Sequence, residues 1–361
     1  MRTIARLMAV VLAGLGGAVA TGSPAAAATP GSVLSSTTAT LPAELQPLAN
    51  GQRIEYATTN VTGADTTGTG LVLTPKTNRK HRVVVWGHGT TGLADQCTPS
   101  TNQAVFWAEA RDAVAELLRR GWTVAAPDYP GLGTPQPHPY LIGAAEARSM
   151  IDSVRAARSL DPSLTTDYVI DGHSQGGQGA LFANQMATGY DGNLVLRGTA
   201  SIAPVSGIEQ LAALIPGTPG QGYLVMGLYG LNAVEPSFDP TAVLGTQAQQ
   251  RLPVLQSGCL EEILAAYAGL TGGQLLTSGR LPASWVAKLV QYDEPVQTPL
   301  TAPVMIVQGT ADQSVPKFLT DELRERLPAG HTYLEIENGT HDSAVTASAQ
   351  AVADWIALRF Q

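Results

Sequence analysis

The chain has 361 residues, 44% of them hydrophobic, 14% charged and 6% aromatic, with 38 Gly, 24 Pro and 2 Cys. That apolar fraction can fill a core, which excludes bulk disorder; collagen-like, coiled-coil and disulfide-scaffold classes fail on the same figures. Lys+Arg 21 against Asp+Glu 29 leave a net charge of −8, so no nucleic acid partner is expected.

Arg2 and Arg6 open the chain, residues 7–20 are apolar, and Ala26-Ala27-Ala28 follow. This is the three-part layout of a secretory signal peptide over residues 1–28, with cleavage after Ala28 and an extracellular mature chain. The apolar run of about 14 residues falls short of the roughly 20 that a span requires, so no stable membrane anchor is expected. In an exported chain, Cys97 and Cys259, far apart and without C-x-x-C spacing, point to a single disulfide and not to a metal or redox pair. The six His form no H-x-H or H-E-x-x-H pattern, so neither a metal nor a cofactor is implied.

Residues 29–50, rich in Thr, Ser, Ala and Pro, read as a flexible lead-in. Short apolar runs then recur at 70–75, 82–86, 122–127, 168–171, 198–203, 303–308 and 332–337. Most are continuously apolar, as strands covered on both faces should be. Amphipathic stretches at 104–120, 142–160, 175–188 and 340–360 lie between or after them. Alternation of this kind predicts an α/β fold, a mostly parallel sheet flanked by helices. Residues 206–300 break the rhythm with repeated Pro and Gly and two or three short helical patterns. They predict an inserted, mainly helical lid or cap between two core segments, 51–205 and 301–361.

The most informative stretch runs from Tyr168 to Gly177, YVIDGHSQGG. A strand enters Gly172-His173-Ser174-Gln175-Gly176 and a helix leaves it, the pattern of a nucleophile elbow. The turn is so tight that positions two before and two after Ser174 must lack side chains. A serine hydroxyl needs a base, and that base an orienting carboxylate. Only His331 and His341 follow Ser174. His341 sits in the loop after the last strand, at the same sheet edge as Ser174, and is the expected base; His331 falls in a polar turn. Asp312, in the loop after the 303–308 strand, is the expected acid. Asp171 points along its strand, and Asp342 adjoins His341 and is expected to cap the final helix.

An acyl-transfer intermediate also needs two N–H donors. Gln175 follows the nucleophile and supplies one. The loop Trp86-Gly-His-Gly-Thr-Thr-Gly92 should supply the other, from Thr90, with Gly89 and Thr91 as alternatives. His88 is expected to brace that loop, and Asp128 and Tyr129 to stabilise a Pro/Gly turn, with lining of the acyl pocket as the alternative.

These residues resemble the α/β-hydrolase superfamily, and more narrowly its secretory lipase family. The similarity runs through WGHGTTG (86–92), APDYPGLG (126–133), VRAAR (154–158), GHSQGG (172–177), GTAD (309–312) and GTH (339–341), in family order over residues 50–361. It implies a secreted esterase or lipase acting on an ester or lipid substrate through Ser174, His341 and Asp312. It also implies a helical lid before the strand that carries the acid, and a disulfide from a core loop to that lid suits Cys97–Cys259. Fungal members carry an acidic residue near the oxyanion loop, where this chain has Thr90-Thr91. Two other readings share the scaffold: a serine peptidase or amidase, marked by an anionic pocket for a peptide amine, and a non-catalytic binding protein, marked by loss of a triad member. A monomer is the default expectation.

Overall fold

The structure is a computed structural model describing residues 28–361. The leader expected over 1–28 therefore lies outside the described residues, save Ala28. Among the described residues nine strands form one sheet: β1 Val33–Thr38, β2 Ala49–Thr59, β3 Asp65–Pro75, β4 Val83–Gly87, β5 Thr123–Pro127, β6 Asp167–His173, β7 Val195–Ile202, β8 Val304–Gly309 and β9 Thr332–Ile336. Their spatial order is β1-β2-β3-β5-β4-β6-β7-β8-β9. From β5 to β9 every pairing is parallel; β1, β2 and β3 join antiparallel at one edge.

That antiparallel edge corrects the lead-in expected over residues 29–50. Val33 to Thr38 pair with Tyr56 back to Gln52, and Ala49–Thr59 pair along their whole length with Asp65–Pro75. Thr- and Ser-rich stretches are low in hydrophobicity, yet Thr is a good strand former, and a sheet edge wet on one face selects polar β formers. The hairpin closes at Asn60, whose Oδ1 accepts from the Thr62 and Ala64 N–H groups at 3.0 Å each.

Helices α1 Ala108–Arg119, α2 Gly143–Leu160, α3 Gln175–Tyr190 and α12 Ser343–Arg359 flank the parallel strands. Between β7 and β8 come α4 Ile208–Leu214, α5 Gln221–Val234, α6 Thr246–Gln249, α7 Val254–Ser257, α8 Leu260–Tyr267, α9 Gly272–Leu275 and α10 Ala283–Asp293. Pro and Gly cut this stretch into pieces as short as four residues, so periodicity foresaw only two or three helices. A further helix, α11 Lys317–Glu325, lies between β8 and β9 and was not foreseen.

Trp86, Val124 and Val169 bury one sheet face against α1 and α12, while Val85, Ile170 and Tyr168 bury the other against α2 and α3. A separate cluster built on Val225, Leu228 and Leu231 fills the helical insertion. No helix among the described residues is long and apolar enough to cross a membrane.

Candidate active site

β6 ends at His173 and α3 begins at Gln175, so one residue makes the turn. That residue, Ser174, has φ 56°, a left-handed conformation that side chains adopt only under strain. The glycines two positions away make the turn possible. A Cβ on Gly172 would sit 2.3 Å from the Gly176 carbonyl oxygen, and one on Gly176 would sit 2.1 Å from that of Gly87. Ser174 thus stands at the N-terminal end of α3, where orphan N–H groups and the helix dipole favour negative charge.

Asp312 and His341 reach the same sheet edge from the loops after β8 and β9. His341 Nδ1 lies 2.7 Å from Asp312 Oδ2. Gln308 Nε2 donates to the same oxygen at 3.2 Å, and the Ser314 and Val315 N–H groups donate to Oδ1 at 2.9 Å. With every partner a donor, the Asp312 oxygens are acceptors, which fixes the imidazole proton on Nδ1 and leaves the Nε2 lone pair free. His173 Nε2 donates to the His341 carbonyl at 3.2 Å and steadies the loop. Burial and the adjacent His341 hold the His173 pKa well below its ordinary value, so it serves as a neutral donor. His331 Nδ1 donates within its own turn, to the Pro328 carbonyl at 3.1 Å.

Two cavities meet at Ser174. The first, about 640 Å³ counting its open mouth, is mostly apolar, with Leu141, Val205, Leu224 and Leu289 among its walls. The second, about 710 Å³ on the same measure, is lined by His341, His173, Trp107 and the carboxylates of Glu109, Glu261 and Asp342. Thr90 borders both, Gly89 only the second, and Thr91 neither. Thr90 Oγ1 is 2.7 Å from the Tyr140 hydroxyl and its carbonyl accepts from Trp107 Nε1 at 3.2 Å, so the N–H is its remaining polar group.

Gln175 begins α3, where a first-turn N–H has no acceptor within the helix. Its side-chain amide nitrogen has two partners. Nε2 donates to Glu146 Oε1 at 2.8 Å and lies 3.4 Å from His138 Nε2. His138 Nδ1 donates to the Pro130 carbonyl at 2.7 Å, which leaves Nε2 an acceptor. Burial lowers the His138 pKa to about 3 and raises that of Glu146 to about 8. Sequence reasoning missed both residues. The available signal was an acid at position 146 one turn before Met150 on a buried helix face.

His88 braces the loop after β4, its Nδ1 donating to the Gly89 carbonyl at 2.7 Å and its ring stacking on Tyr129 at 4.2 Å. Asp128 accepts from Thr69 Oγ1 at 2.7 Å and from the Ser100 N–H at 3.0 Å, and neither it nor Tyr129 lines the two cavities. Asp342 does not cap α12 as expected: it occupies the cap position but makes no capping bond. Thr340 and Ser343 bond each other's N–H groups instead, at 3.3 and 2.8 Å. Cys97 and Cys259 form a disulfide joining the loop after β4 to the start of α8. Among the described residues, the one His/Cys/Asp/Glu group close enough to hold an ion is His173, His341 and Asp342, within 4.8 Å of one another. Its His341 is already tied to Asp312 through Nδ1.

A parallel sheet with a strained serine at the β6–α3 turn, and Asp and His on the loops after β8 and β9, defines an α/β-hydrolase fold. Among solved structures the chain is similar to Candida antarctica lipase A in its closed state (TM-score 0.73, 18% identity, 87% of this chain and 78% of that one). It is equally similar to the rice cell wall degrading esterase LipA from Xanthomonas oryzae (TM-score 0.73, 22% identity, 92% and 100%). The secretory lipase family model matches residues 99–361, and the chain belongs to that family. Two secreted triacylglycerol lipases of Malassezia globosa are 30% identical over 222 residues and 27% over 199, covering 58% and 52% of this chain. The chain spans about half the length of these relatives, 47% and 43%.

Proposed function

We propose that this chain is a secreted hydrolase of carboxylic esters working through a Ser174–His341–Asp312 triad and an acyl-enzyme. The observation that carries the reading is the convergence of Ser174 and an Asp312-bonded His341 on one cavity wall. His341 Nε2 takes the Ser174 proton as Oγ attacks the ester carbonyl, then returns it to the departing alcohol. Water repeats the sequence on the acyl-enzyme. The Gln175 and Thr90 N–H groups are the proposed oxyanion donors. The apolar cavity suits the acyl chain and the second cavity the alcohol, with residues 206–300 as the lid over both.

The test is hydrolysis of a p-nitrophenyl ester series from acetate to palmitate by mature protein and Ser174→Ala. Activity that disappears in the variant is the expected result, and the chain-length optimum separates esterase from lipase. No activity on any ester would reject the reading. One observation favours an amidase instead: Glu109, Glu261 and Asp342 around the second cavity could hold a peptide amine. Turnover of peptide p-nitroanilides above that of esters would select it.

A further inference from the structure

The apolar cavity beside Ser174 contains one carboxyl group, that of Asp293. Asp293 is the last residue of α10 and only 2% exposed, yet its Oδ1 has no hydrogen-bond partner. The contrast with its neighbour is direct. Glu294 pairs with Arg326 and accepts the Ile208 N–H at 2.8 Å. A helix C-terminus disfavours an anion. Burial, with Glu146 and Glu294 nearby, pushes the Asp293 carboxyl well above its ordinary range and favours the neutral acid. A neutral carboxyl is both donor and acceptor, and leaving it unsatisfied in an apolar wall is costly.

We infer that Asp293 is a specificity residue that hydrogen-bonds a hydroxyl on the acyl chain, so that the cavity selects hydroxyacyl esters. A hydroxyl fits where an ammonium does not, because no charge is on offer to pair with it. The inference rests on the ester-hydrolase reading, with the apolar cavity as the acyl site. A pocket built to bond a hydroxyl rejects the chain that lacks it far more strongly than an apolar pocket rejects an added hydroxyl.

The experiment compares ethyl decanoate with hydroxydecanoate ethyl esters bearing the hydroxyl at each carbon from C3 to the terminus, omitting the lactone-forming C4 and C5. Released acid is titrated. Wild type is expected to favour at least one isomer by about tenfold or more in kcat/KM. Asp293→Asn, which keeps both hydrogen-bonding roles, should retain that preference, and Asp293→Leu should reverse it toward plain decanoate. The inference is overturned if wild type favours no isomer, as when a trapped water satisfies Asp293, or if the preference survives in the Leu variant. The wild-type series decides even where a variant fails to fold. Hydrolysis of plain decanoate that is lost in Ser174→Ala, without hydroxyl preference, defeats this inference alone. Absence of all ester hydrolysis defeats the ester reading with it.

Discussion

Reducing the Cys97–Cys259 disulfide should lower both stability and turnover. The cysteines are 162 residues apart, which makes the bridged loop nearly half the chain. The loop-entropy relation gives about 17 cal/mol/K for a loop of that length, or about 5 kcal/mol at 25 °C. Over the described 28–361 span, an unfolding entropy of about 2.1 cal/mol/K per residue amounts to about 0.7 kcal/mol/K, so the melting temperature should fall by about 7 °C. A catalytic effect follows from where the bridge sits. Leu260, next to Cys259, donates its N–H to the Thr91 carbonyl at 2.9 Å, so the bridge holds the proposed oxyanion loop against α8. Differential scanning calorimetry with and without reductant, beside a Cys97→Ala/Cys259→Ala variant, reads the first effect; p-nitrophenyl butyrate turnover reads the second. Thiol alkylation followed by mass measurement confirms that two thiols have been freed. A melting temperature within about 2 °C of the oxidised value, with both thiols labelled, would refute the entropic argument, because such a long loop leaves it no small outcome.

Asp312→Asn should keep the fold and lower kcat by about 10⁴, since an amide can present N–H to His341 Nδ1 and stabilise the wrong tautomer; pre-steady-state burst kinetics should show slowed acylation. Gly176→Ala would place a Cβ 2.1 Å from the Gly87 carbonyl oxygen. It should abolish ester turnover and cost roughly 1–3 kcal/mol, read by urea unfolding. Stability should also depend on pH in opposite senses at acid pH and at neutral to mildly alkaline pH. The carboxyls of Glu146 and Asp171 are raised to about 8 by burial, so their contribution is complete at low pH and is lost as pH rises toward 8. The pKa values of His88 and His138 are lowered to about 4 and about 3 by burial, so theirs is complete above the ordinary histidine value and lost as pH falls toward 3. The two pairs oppose each other between about pH 4.5 and 6.5, so each partly offsets the other there. Above that range the melting temperature should fall toward pH 8, and Asp171→Asn should flatten the fall; a rise there would contradict the assignment.

The sequence by itself determined the parallel half of the sheet and the candidate chemistry, for a local reason. Strands buried on both faces must be continuously apolar, and a serine on a one-residue turn requires Gly172 and Gly176, so both features are written into consecutive residues. The loop bearing Asp312 was legible because it follows such a strand, and that bearing His341 because it follows the last strand of the sheet; both emerge at the same sheet edge. Only the tertiary structure decided that Val33–Thr38 is a strand, because an exposed polar edge owes its order to partner residues that run from Tyr56 back to Gln52 on the next strand. It likewise decided the roles of Glu146, His138 and Asp293. A buried polar group has no local signature beyond an acid where the helix pattern calls for an apolar residue or where the dipole disfavours it. Whether each of its atoms is paired, as Glu146 Oε1 is with Gln175, or left without a partner, as Glu146 Oε2 and Asp293 Oδ1 are, depends on what the rest of the chain folds against it.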